Sequence, residues 1–163
     1  MKTRIHRITG KRHQMDKQIT LTEEYRNAIL SSNKPAEFLK RNFESSKDLG
    51  AFLSAKLDEK GLKKAPVIRD AQIGETYAYQ IFSGTRNKPD RNYILALCIA
   101  MGLNAHETRR ALCLGNVGDL YAKNRRDAII LFCVDHGYSL IQTNDELYSN
   151  GEETITGAKD QGC

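Results

Sequence analysis

Apolar residues recur at helical spacing through most of the chain from Ser46 to Asn150, and the breaks between runs fall on glycine, proline and capping side chains. Leu49, Phe52, Leu53 and Leu57 share one face of a helix that ends at Gly61. Pro66 suits the opening turn of a short second helix, whose inward face is Val67, Ile68 and Ala71. Ile73 and Gly74 make a turn. The next helix starts near Glu75, buries Ala78, Ile81 and Phe82, and stops at Gly84, a residue able to take the left-handed conformation of a helix end. After Pro89, Asp90 caps a helix with Ile94, Leu95, Leu97, Cys98 and Met101 apolar almost all round, as a central core helix should be. Asn104 and Glu107 have capping-box spacing ahead of Ala111, Leu112 and Leu114, and Gly115 closes that run.

Further helices are predicted on both sides. Beyond the turn-rich GNVGDLY, Lys123 to His136 forms a helix with Ile129, Ile130, Phe132, Cys133 and Val134 as its apolar content, and Gly137 ends it. Ser139 and Gln142 repeat the capping-box spacing before Leu140, Ile141, Leu147 and Tyr148. Residues 104 to 115 and 139 to 150 thus share a cap-then-leucine layout, which reads as common helix grammar rather than duplication. Upstream, Thr20 to Phe43 suggests two short accessory helices, the second opened by Pro35, with Tyr25, Ile29, Phe38, Leu39 and Phe43 packing on the body. The chain is therefore expected to be all-α: a basic flexible arm over 1–18, accessory helices over 19–45, a main domain over 46–115, a helical extension over 116–150 and a disordered tail over 151–163.

The 163 residues suffice for one domain with a real core plus small extensions. The net charge of +5 is unevenly placed. Residues 1 to 18 carry six Lys/Arg against Asp16, while residues 145 to 163 carry five acids against Lys159. A basic arm and body fit a nucleic-acid partner, although solvated flexible ends explain the termini equally well. Cys98, Cys113, Cys133 and Cys163 show no metal-ligand spacing, and the first three read as buried free thiols of a reducing cytosol. With no apolar run long enough to span a bilayer and no signal-peptide core, a cytoplasmic protein without membrane contact is expected.

The stretch KKAPVIRDAQIGETYAYQIFSGTRNKPDR, Lys63 to Arg91, is a pair of short helices with a tight turn and a basic exit, too small to fold without neighbours. Together with Ile81, Gly84, Pro89 and the run ILALCIAMGL, it resembles the lambda-repressor-like, or XRE-type, helix-turn-helix family over about Leu49 to Leu114. It departs from that family at Phe82, where a glutamate is usual, and at Lys64, Ala65 and Pro66, where the family favours Gln-Glu-Glu. The resemblance implies a five-helix bundle whose helix 75–83 enters the DNA major groove, acting as a homodimer at a roughly palindromic site.

It also assigns roles by position. Glu75, Thr76, Tyr79 and Gln80 would face base edges: Gln80 can bond adenine bidentately, Thr76 can touch a thymine methyl, and Glu75 can accept from cytosine. Glu75 reads equally as a first-turn acid complementing the helix dipole, and phosphates would repel it. Lys63, Lys64, Tyr77, Arg86, Lys88 and Arg91 would hold phosphates, the alternative for the cations being a solvated rim and for Tyr77 a packing role against the preceding helix. Arg125 and Arg126 open a helix at its positive end, which suggests an anionic partner or an ion pair with Asp119 or Asp127, and surface pairing is the expectation. No P-loop, GxGxxG or HExxH occurs, and Ser31 with Lys34 has SxxK spacing without its companions, so neither an enzyme nor a cofactor is expected. A protein-binding adaptor or inhibitor from a mobile element, reusing the same scaffold, is the competing function.

Overall fold

A computed structural model describes residues 26–35, 48–86 and 88–155. The basic arm, most of the accessory segment and residues 156–163 lie outside the described residues. The chain divides into two units, Met1–Ser46 and Lys47–Cys163. In the first, residues 26–31 are helical, and Ile29 is exposed rather than packed.

All secondary structure among the described residues is helical. The second unit contains α1 (Leu49–Lys60), α2 (Lys64–Asp70), α3 (Glu75–Phe82), α4 (Arg91–Ala100), α5 (Ala105–Leu114), α6 (Arg125–Asp135) and α7 (Leu140–Ser149). Asp48 caps α1 by accepting from the Ala51 N–H at 2.7 Å, and Gly61 ends the helix at φ 63°. The central position expected of α4 is observed: Ile94 through Ile99 are all buried, and the helix packs on α2, α5 and α7. On the other side α1 packs on α3 and α5. That contact requires Gly50, because a Cβ there would stand 2.5 Å from the Phe82 carbonyl oxygen and 2.7 Å from that of Ile81. The turn between α2 and α3 departs from expectation in one detail. Its left-handed residue is Gln72, at φ 53°, whereas Gly74 has φ −58° and serves as the N-cap of α3.

Three further differences concern the C-terminal half. Cys98 and Cys133 are buried, and burial pushes the Cys98 thiol up to about 12, but Cys113 is exposed. Arg125 and Arg126 find hydrogen-bond partners other than Asp119 or Asp127: Arg125 pairs with Glu152 at 3.0 Å, and Arg126 donates to Asn92 and to the carbonyls of Glu153 and Thr154. Residues 151–155 consequently form an ordered strap instead of the start of a disordered tail. Ile155 anchors it, only 2% exposed, with its N–H donating to Asn144 Oδ1.

The cap-then-leucine layout is part of a structural repeat that reaches far beyond helix grammar. One constant offset carries Arg91 to Arg126, Cys98 to Cys133, Gly102 to Gly137, Asn104 to Ser139, Thr108 to Thr143, Leu112 to Leu147 and Leu120 to Ile155. Both helical hairpins, α4–α5 and α6–α7, turn on a left-handed glycine and open their second helix with a complete capping box. The bracing is the same too. Arg91 donates to the Gly118 and Asp119 carbonyls at 2.7 and 3.0 Å, and Arg126 to those of Glu153 and Thr154 at 2.7 and 3.3 Å. Arg91 also bonds Asp127 at 2.9 Å while Arg126 bonds Asn92 at 2.9 Å. These two contacts are reciprocal, as in an isologous pairing, so the hairpins meet across an internal pseudo-two-fold axis.

Candidate nucleic-acid interface

Residues buried in α3 are Ala78, Ile81 and Phe82, which fix its inner face against α1 and α2. At helical spacing the opposite face carries Thr76, Tyr79, Gln80 and Ser83. Thr76 and Tyr79 are exposed and Gln80 is half-buried, so three of the four sequence-predicted reading residues come together. Glu75 is exposed at the helix start, on the flank of this stripe. Ser83 was not anticipated. Its hydroxyl donates to the Gln80 carbonyl at 3.2 Å and lies 2.7 Å from the Thr85 hydroxyl, making a short hydroxyl row at the end of the helix. The spacing from Thr76 through Gln80 to Ser83 was the available signal.

The cations surround this helix unequally. Lys64 Nζ lies 5.2 Å from the Phe82 ring centroid, and the Arg86 guanidinium stacks on Tyr77 at 3.9 Å, which places both beside α3. Lys63 and Lys88 are exposed at the start of α2 and in the loop after α3. Arg91 is directed elsewhere: it is half-buried and held by Gly118, Asp119 and Asp127 in the brace described above. Tyr77 is half-buried with its ring 4.6 Å from that of Tyr93 and its hydroxyl accepting from the Asp90 N–H. It therefore packs on the following helix and loop, and its visible service is to seat Arg86.

Helix starts in this unit fall into two groups. Side chains of Asp48, Asp90, Asn104, Asn124 and Ser139 cap α1, α4, α5, α6 and α7. The N-cap residues of α2 and α3 are Lys63 and Gly74, and neither supplies a capping side-chain bond. The starts of α2 and α3 thus lack a capping side chain of their own, and Lys63 and Lys64 stand at the start of α2.

No family model matches the chain, and neither the curated proteins nor the solved structures yield a match. Among the described residues no helix is long and apolar enough to cross a membrane.

Proposed function

We propose that this chain binds double-stranded DNA in a sequence-dependent manner, as a two-copy regulator that lays α3 in the major groove. In this reading α1–α5 form a helix-turn-helix bundle of the lambda-repressor-like kind, with α2 and α3 as the pair. The observation that carries it is that, among the described helices of the unit, α2 and α3 alone lack a capping side chain, with Lys63 and Lys64 at the start of α2, while each of the others has one. Phosphate oxygens are the acceptors that such starts suit. Thr76, Gln80 and Ser83 supply donors and acceptors for base edges, Tyr79 adds a ring and a hydroxyl, and Lys63, Lys64, Arg86 and Lys88 supply sequence-independent affinity.

Selection of the purified chain against random duplexes tests the proposal. A recovered motif is expected, with log affinity falling against log salt at a slope of about −4 per subunit for four neutralised phosphates. Gln80→Ala should cost on the order of 1–3 kcal/mol on the selected site, whereas Arg86→Ala should weaken all sequences alike. Weak, salt-insensitive binding with no motif would overturn the reading and favour a protein-binding scaffold. That alternative draws on Glu75, an acid at the very helix start that phosphates would approach.

A further inference from the structure

The internal repeat shows which surface of the second hairpin no described element of the unit covers. Positions buried in both hairpins, such as Leu95 and Ile130, Leu112 and Leu147, or Leu120 and Ile155, serve the shared core. Other positions are buried only in the first. Leu97 is 0% exposed and its equivalent, Phe132, is 50% exposed. Met101 and Ala111 are buried, while His136 and Glu146 are exposed. In the first hairpin that side is occupied, because α2 packs on α4 and α1 on α5. In the second hairpin it presents the exposed Phe132 with the half-buried Ala128 beside it, flanked by Ile129 and Leu131, which are themselves partly packed on the core. The ring of Phe132 is held in place, stacked 3.9 Å from His136, whose Nδ1 lies 2.8 Å from the Phe132 carbonyl oxygen, with the Tyr138 ring edge-on at 6.0 Å from Phe132. A helix apolar on its outward as well as its inward face is built to be covered.

We infer that a second copy of this chain covers it, with the two α6 helices antiparallel about a two-fold axis. The charges select that occupant. The exposed strip begins at Arg125, whose guanidinium holds Glu152 of its own chain yet stays 77% exposed, and ends at Asp135, so antiparallel pairing brings Arg125 of each copy towards Asp135 of the other. The same register sets the small Ala128 against Phe132. Parallel pairing would oppose like charges instead. A strip on one eleven-residue helix covers less than the roughly 800 Å² per partner of a standard interface. Self-association in the micromolar range follows. The inference deepens the two-copy part of the proposed function and is tested without DNA, so either can fail while the other stands.

Sedimentation of the full chain between about 1 and 200 µM should show a monomer–dimer equilibrium. Arg125→Asp and Asp135→Arg should each weaken it at least tenfold, since each places like charges across the two-fold. An equimolar mixture of the two variants should dimerise again, because both cross-pairs are then complementary. Phe132→Asp should leave a monomer with unchanged circular dichroism. A wild-type chain that stays monomeric, variants that dimerise as before, or a mixture that fails to recover would each overturn the inference.

Discussion

The hairpins α4–α5 and α6–α7 are built on one skeleton and placed in opposite circumstances. Each has an arginine brace at the start of its first helix, a left-handed glycine at the bend, a complete capping box and an apolar anchor on the strap that follows. The first is enclosed by α1 and α2 on one side and by its sister on the other, whereas among the described helices the second packs chiefly on its sister. What differs is therefore the side chains on the remaining face, and these follow the cover: Leu97, Met101 and Ala111 where it exists, Phe132, His136 and Glu146 where it does not. Local backbone chemistry specifies a hairpin, and the neighbour decides what its faces must be.

Matched substitutions test that contrast. The largest difference should come from Leu97 and Phe132. Leu97→Ala leaves a cavity in a closed core and should cost about 2–5 kcal/mol in urea unfolding, against under about 1 kcal/mol for Phe132→Ala at concentrations where the monomer dominates. Equal costs would mean that α6 is already covered in the monomer. The braces come next. Arg91→Ala strands Asp127, a buried carboxylate whose other contact is the Tyr121 N–H, and should cost about 2–4 kcal/mol. Arg126→Ala loses only a neutral amide and backbone carbonyls, so about 1–2 kcal/mol should appear in the same assay.

A smaller effect separates the two capping boxes by pH. Burial opposes ionisation of Glu107, but the Lys56 ammonium and the Asn104 N–H outweigh it and hold the carboxyl below its ordinary value of 4.5. A carboxyl so depressed contributes its stability fully above the unfolded value and loses it as pH falls through the folded one. The equivalent Gln142 does not titrate. Thermal melts from pH 6 down to pH 3 should therefore show a loss that Glu107→Gln makes shallower, on the order of 1 kcal/mol, and that Gln142→Ala leaves just as steep. The smallest effect concerns the left-handed residue after each second helix, Asn116 at φ 53° and Gly151 at φ 74°. Asn116→Gly should stabilise by a few tenths of a kcal/mol, and Gly151→Ala should destabilise by about 1 kcal/mol, both read from chemical melts.

Most helices were legible because their ends are encoded in single residues: Asp90, Asn104 and Ser139 at starts, Gly61, Gly84 and Gly137 at ends. The repeat was hidden for a physical reason. Its bracing arginines bond backbone carbonyls, and a carbonyl accepts whichever side chain it carries, so Gly118 and Asp119 can stand where Glu153 and Thr154 do. Half of the candidate site was readable in the same way. The inner face of α3 is set by Ala78, Ile81 and Phe82, and the outward stripe follows from it. Arg91 could not be placed, since proximity to Arg86 and Lys88 in sequence says nothing of direction, and the residues that hold it lie far along the chain. The uncapped starts were visible as Lys63 and Gly74, but they became informative only beside the other helix starts, each with its own cap.

The missing side chain at Gly50 gives α3 a mechanical property. Two carbonyls at the end of that helix rest where a methyl group would be, so backbone bears directly on backbone with no flexible side chain between them. Such a seat does not yield under load as a packed leucine would. Any tilt of α3 must carry α1 with it, and the pair would behave as a rigid blade whose pitch against a surface is set at one atom-sized fulcrum.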